Sequence, residues 1–167
     1  MKEVEAHGIL SEARETRTAG QPSQNLLSKW LRSLITPTWA PLSVLIFHLI
    51  ALSFQLYETY PTIDIPMHFF GGFSMAYFLR KAFVAASLIT TGAPPNRLLE
   101  NVLIVTATCT VAVFWEFFEF VLSWALSTDL QGSLANTIKD LFFGLTGSLF
   151  FTVTANPIPT TASRFQK

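Results

Sequence analysis

Four apolar blocks dominate the sequence, and each approaches or exceeds the roughly 20 residues that a helix needs to cross the hydrocarbon core of a bilayer. Half of the 167 residues are hydrophobic and only 13% are charged, which is too apolar for an ordinary soluble domain. We therefore predict an all-α polytopic membrane protein with four transmembrane helices in one bundle. The blocks are Trp39–Tyr57, Ile65–Leu79 with an inner boundary left open as far as Ile89, Leu98–Leu126 and Leu134–Ala155.

The segments outside these blocks are mostly polar. Residues 1–22, rich in Glu, Ser, Thr and Gln, are predicted to form a disordered cytoplasmic tail. Residues 156–167 are predicted to form a C-terminal cytoplasmic tail. Residues 23–36 combine an apolar stripe at helical spacing with basic residues beside it, which predicts either an interfacial amphipathic helix or an ordinary helical lead-in. The transmembrane domain then covers residues 39–155. The stripe consists of Leu27, Trp30, Leu31 and Leu34.

The sequence argues against a nucleic-acid partner, an intrachain disulfide and a cleaved signal peptide. No basic patch carries interleaved aromatic residues, so we expect no nucleic-acid partner, a point on which the net charge of zero says nothing. Cys109 is the single cysteine and can form no intrachain disulfide. The first block follows a long polar leader and lacks small residues of a cleavage site, so it is predicted to be a retained helix.

Basic residues are distributed unevenly between the connections. The N-terminal region, the connection between the second and third blocks and the C-terminal tail all carry Lys or Arg, whereas residues 58–64 and 127–133 carry none. The positive-inside rule therefore predicts four crossings of the plasma (inner) membrane with both termini in the cytoplasm. Lys139 is the one basic residue on the opposite side.

Ionisable side chains lie inside or at the edges of the apolar blocks, where a charge costs several kcal/mol unless it is neutralised. They belong to the start of the second span, the end of the third and the start of the fourth. Because neighbouring spans run in opposite directions, these positions predict one shared depth in the outer leaflet. The side chains are Asp64, His68, Glu116, Glu119, Asn136 and Asp140.

Small residues continue the polar faces of the second and fourth spans. Gly71 and Gly72 follow the face of the second span, and Gly144 and Gly147 follow that of the fourth. Small residues let helices approach closely, so the polar faces are predicted to turn into the bundle. His48, on the first span, is placed near mid-membrane and is interpreted as a buried, hydrogen-bonded group.

Carboxylates outnumber cations among these side chains, since four acids face Lys139 and one imidazole. Either some of the acids are protonated or a cation binds. The six side chains suit Zn²⁺, Mn²⁺ or a di-metal centre, and they suit a proton relay equally well. Structural alternatives stay open: Asp64 or Asn136 could be a helix N-cap, and Asp140 could pair with Lys139.

Three ordered motifs carry a family resemblance. They are Asp64-x-x-x-His68 followed by Gly71 and Gly72, then Trp115-Glu116-x-x-Glu119, then Asn136-Thr-x-x-Asp140 followed by Gly144 and Gly147. Over roughly residues 60–150 the chain resembles the YjdF-type bacterial inner-membrane proteins and, more loosely, the VanZ-like superfamily. The resemblance implies a small multi-pass membrane protein. Asn136 departs from the YjdF-type pattern, which has Asp there.

Three functional hypotheses follow. The first is a membrane enzyme acting on a lipid-linked or envelope substrate, with Glu116 and Glu119 as metal ligands or general base and Lys139 contacting phosphate or carboxylate. The second is an ion- or proton-coupled carrier subunit, which four helices could form only as an oligomer. The third is a non-catalytic scaffold or partner subunit. Membrane lipids are expected partners, and self-association stays open.

Overall fold

The computed structural model describes residues 28, 31–128 and 132–155, and over this part of the chain it contains helices and turns but no strand. Four stretches are long and apolar enough to span a membrane, which confirms the predicted all-α polytopic fold. They are Leu31–Ser53, Pro61–Thr91, Arg97–Leu126 and Leu134–Ala155. The α-helices are α1 (Trp39–Ser53), α2 (Leu56–Thr59), α3 (Asp64–Thr91), α4 (Arg97–Leu126) and α5 (Leu134–Ala155), with 3₁₀ turns at Thr36–Thr38 and Pro61–Ile63.

The first span begins before the first apolar block. Residues 31–35 are helical and continue through the 3₁₀ turn at Thr36–Thr38 into α1. This part of the segment 23–36 is therefore continuous with the span, and its position at the membrane interface stays a prediction. The predicted tails, 1–22 and 156–167, lie outside the described residues, as do residues 23–27, 29 and 30.

The helix α3 settles the open inner boundary of the second apolar block in favour of the longer alternative, because it continues past Leu79 and Ile89 and ends at Thr91. Gly92 ends it with a left-handed backbone (φ 71°), which glycine adopts at little cost. The side-chain oxygen of Asn96 then accepts hydrogen bonds from the backbone N–H groups of Leu98 and Leu99. This N-cap fixes the start of α4.

Polar and apolar side chains are distributed in the opposite way to a soluble protein, with carboxylates buried and large apolar side chains exposed. On α4 the Glu116 and Glu119 side chains are buried, whereas the neighbouring Phe117 and Phe118 are more than half exposed. Large exposed apolar residues also cover α1 and α5. Such a surface is expected where the surrounding medium is lipid, since hydrocarbon solvates these side chains. The polar faces are therefore turned inward, as predicted.

The central helix is α3, which packs against α1, α4 and α5. It comes closest to α5 through glycines: a methyl group at Gly72 would collide with the Gly144 carbonyl, and one at Gly147 with the Phe69 carbonyl. We call the end of the bundle that holds Asp64 the acidic end and the opposite end the Arg80 end.

Candidate functional site

Two helices bring three ligand-type side chains together at the acidic end. Asp64 and His68 lie one turn apart at the start of α3, and Asp140 faces them from α5. The His68 Nε2 atom is 3.3 Å from Asp64 Oδ1 and 3.7 Å from Asp140 Oδ1. One ligand atom from each of the three residues lies within 4.8 Å of the other two, so this group, here called the triad, could hold a metal ion.

Lys139 is the nearest cation to the triad. Its Nζ atom donates hydrogen bonds to Asp64 Oδ2 at 2.9 Å and to Asn136 Oδ1 at 2.7 Å, and it lies 3.7 Å from Asp140 Oδ1. The acids beside it account for a basic residue at this end of the bundle. The ammonium links α5 to α3 and neutralises one of the two carboxylates.

The N-cap hypotheses for Asp64 and Asn136 are wrong. Asp64 is the first residue of α3, but no side chain caps that helix, and its carboxylate turns to His68 and Lys139 instead. At the start of α5 the Ser133 hydroxyl accepts a hydrogen bond from the Asn136 backbone N–H. The Asn136 amide is therefore free to donate to Asp140 Oδ2 at 2.6 Å, which orients that carboxylate.

One carboxylate oxygen of Asp140 has no hydrogen-bond partner among the described residues. The residue is 1% exposed, and its Oδ1 atom accepts no hydrogen bond from the described residues. A buried carboxylate oxygen in this condition is costly unless a proton or a cation compensates it. The Oδ1 atom is also the one that faces both His68 and Lys139.

Glu116 and Glu119 lie on the inner face of α4 at the same end. The Trp115 indole N–H donates to Glu119 Oε1 at 2.7 Å, whereas Glu116 Oε2 is buried without a hydrogen-bond partner in the described part of the chain. Both carboxylates interact electrostatically with His68. Neither belongs to the triad, so their roles as metal ligands or base remain predictions.

His48 extends the polar network to α1. Its Nδ1 atom is 2.7 Å from the Tyr57 hydroxyl, and its ring lies 5.3 Å from that of Trp115. The predicted hydrogen bond is confirmed. His48 lies five residues before the end of the span Leu31–Ser53, toward the acidic end, and its depth in the membrane stays a prediction. The interruption of the helix after Ser53 folds α2 back so that Tyr57 can reach the imidazole.

Sequence reasoning missed an ion pair at the other end of the bundle. Arg80 Nε on α3 lies 2.8 Å from Glu100 Oε1 on α4, and Arg80 Nη1 donates to the Ala155 carbonyl on α5 at 3.2 Å. The sequence contained one clue, because Glu100 is the single acid close to the basic connection between the two helices.

Comparison with known proteins assigns a family without adding an activity. No curated protein and no solved structure matched the chain. A family profile described as "Predicted membrane protein (DUF2238)" matches residues 26–159, and it corresponds to the YjdF-type resemblance, whereas nothing supports the looser VanZ-like one. With most of its length matched and its four candidate spans inside that match, the chain belongs to the DUF2238 family of predicted membrane proteins.

Proposed function

We propose that this protein binds one divalent cation, Zn²⁺ or Mn²⁺, at Asp64, His68 and Asp140 and uses it in hydrolytic chemistry on a lipid-linked or envelope substrate. The observation that carries the proposal is the buried Oδ1 atom of Asp140, which lacks a hydrogen-bond partner among the described residues and belongs to the triad. Imidazole and carboxylate oxygens are a ligand combination that suits both ions.

The spacing of the triad supports the same proposal. Ligand atoms about 2.1 Å from a tetrahedral zinc ion are about 3.4 Å apart. The distances from His68 Nε2, 3.3 Å to Asp64 Oδ1 and 3.7 Å to Asp140 Oδ1, bracket that value. Three protein ligands leave a position for water, as in catalytic zinc sites.

The neighbouring side chains supply the remaining roles in this proposal. A bound cation would make its water acidic enough to supply hydroxide near neutral pH. Glu116, whose Oε2 atom has no hydrogen-bond partner in the described chain, is the proposed general base, and Glu119 is held beside it by Trp115. Lys139 would contact a phosphate or carboxylate of the substrate, and Asn136 orients Asp140.

The scaffold alternative is favoured by one observation, the Lys139–Asp64 contact. In that hypothesis the ammonium neutralises the cluster and ties α3 to α5, and no metal is required. The carrier alternative has less support, because the space between the acidic end and the Arg80 end is lined mainly by apolar side chains. In the enzyme proposal the acidic end faces the periplasm, as the basic residues predict.

Metal analysis separates the first two hypotheses. The protein, purified in mild detergent without chelator, is expected to carry about one Zn²⁺ or Mn²⁺ per chain, and added metal is expected to raise the thermal unfolding temperature because it binds the folded state. His68→Ala and Asp140→Asn should lose the metal. Glu58→Gln, which removes an exposed carboxylate near the same end, is the matched control and should retain it.

The contrary result is equally clear. If the wild-type protein carries no metal and added Zn²⁺ or Mn²⁺ leaves its unfolding temperature unchanged, the metal proposal is wrong. If His68→Ala and Asp140→Asn also fail to assemble as monodisperse protein, the scaffold hypothesis is supported instead.

Glu116→Gln is expected to fold and to keep the metal, since Glu116 is placed outside the triad.

A further inference from the structure

A cavity of about 500 Å³ lies next to the triad, between α1, α3 and α4. Its volume falls within the roughly 300–1,000 Å³ of typical small-molecule sites. His68 of the triad is one of its lining residues, so the cavity and the triad share a wall. None of the roles assigned above accounts for this space.

The cavity runs along the bundle from a polar end to an apolar one. His48, His68 and Trp115 line it toward the acidic end, and Thr38 and Phe78 line it toward the Arg80 end. Ten residues separate His68 from Phe78 on α3, which is about 15 Å at the helical rise. Half of a hydrocarbon core of about 30 Å has the same depth. The cavity therefore matches one leaflet in length.

The side chains that line the cavity suit a hydrocarbon chain. Apolar side chains such as Leu45, Met67, Met75 and Val111 form most of the lining. The flexible methionines can adapt to a chain of irregular shape. Thr108 also lines the cavity, but its Oγ1 atom is buried and has no hydrogen-bond partner within the described chain.

We propose that this cavity holds the hydrocarbon chain of a single lipid whose head group lies at His68 and Trp115. The cavity lies within the membrane-spanning helices, so a lipid chain is the ligand it meets at highest concentration. Only the step that identifies this lipid as the substrate rests on the proposed function. Binding of the hydrocarbon chain itself requires no metal. An acyl lipid and a polyprenyl phosphate share the chemistry required: a long flexible hydrocarbon chain joined to an anionic phosphate head group.

Gly71 makes the proposal testable. It lines the cavity, and a Cβ atom built at this position meets nothing within 4 Å. A leucine there would extend into the cavity without displacing a helix, so Gly71→Leu should fill the site and leave the bundle intact. Phe70→Leu, a change at an exposed position on the same helix and outside the lining, is the matched control.

The experiment is photo-crosslinking in nanodiscs of phosphatidylethanolamine and phosphatidylglycerol. Two probes are used separately: phosphatidylglycerol with a diazirine midway along one acyl chain, and a polyprenyl phosphate with a diazirine on its chain. Wild-type protein and Phe70→Leu are expected to be labelled by at least one probe at lining residues such as Met75 and Val111. Gly71→Leu is expected to lose that labelling. Whichever probe labels the lining identifies the source of the chain.

Two results would overturn the inference: labelling confined to exposed residues such as Phe117 and Phe118, or lining labels that persist in Gly71→Leu. Met75→Trp, a second cavity-filling variant, replaces Gly71→Leu if the latter does not fold. Each sample is tested with Zn²⁺ and with chelator. Lining labels without metal binding would support the cavity site and refute the proposed metal function. Metal binding without lining labels would refute the cavity site alone.

Discussion

Arg80 and Glu100 show how a charged pair is kept inside the bundle. Glu100 is 4% exposed, and the guanidinium that faces it at 2.8 Å also reaches the last carbonyl of α5 and lies 6.0 Å from the centre of the Phe151 ring. One side chain on α3 thus contacts both α4 and α5. Removing one member of such a pair leaves a buried charge uncompensated, which costs more than the pair itself contributes.

We predict that Glu100→Gln lowers the free energy of unfolding by about 3–5 kcal/mol, the usual cost of breaking a buried pair from one side. The measurement is thermal or denaturant unfolding of the purified protein in detergent. The double variant Arg80→Met/Glu100→Met should recover most of the loss, since it leaves no uncompensated ion. Equal stability of Glu100→Gln and wild type would show that the pair is solvated.

At the scale of whole helices, the contact between α3 and α5 is decided by backbone atoms. The Gly72 position faces the Gly144 carbonyl and Gly147 faces the Phe69 carbonyl, so no side chain separates the helices at either point. This close approach is what brings the first turns of α3 and α5, and with them Asp64, His68 and Asp140, within ligand distance. The glycines act on the site through the spacing of the helices.

We predict that Gly72→Ala destabilises the bundle by about 1–3 kcal/mol, because the added methyl group overlaps the Gly144 backbone and neither helix can yield cheaply. Gly71→Ala is the matched control one residue away and should leave the unfolding temperature nearly unchanged, since its methyl group enters open space. Both are measured by thermal unfolding in detergent. If Gly72→Ala and Gly71→Ala unfold at the same temperature, the close approach of α3 and α5 does not restrict the residue at Gly72.

For the molecule as a whole, the two ends carry different chemistry. The acidic end holds the triad with Lys139, and Glu116 and Glu119 of α4 lie at the same end. Among the described residues, the Arg80 end holds the ion pair of Arg80 and Glu100. An apolar cavity lies between them beside α1. A polar end beside an apolar cavity is the arrangement that both proposals require.

We predict that the acidic end faces the periplasm. In a Cys109→Ser background, Glu58→Cys should react with a membrane-impermeant maleimide in intact cells, whereas Pro94→Cys should react only after permeabilisation. Glu58 lies in the connection between the first and second spans, and Pro94 in the one between the second and third. The reversed pattern would place the triad on the cytoplasmic side and remove the support for an envelope substrate.

The sequence by itself determined the number of spans and the faces that turn inward, because hydrophobic length and helical period are local properties. It also placed six polar side chains at one depth. Only the tertiary structure decided which of them meet: Lys139 bonds to Asp64, 75 residues away, and His68 faces Asp140 while Glu116 and Glu119 stay outside the triad. These contacts depend on helix rotation and side-chain conformation, which are set by packing at Gly72 and Gly147 and which no local pattern encodes.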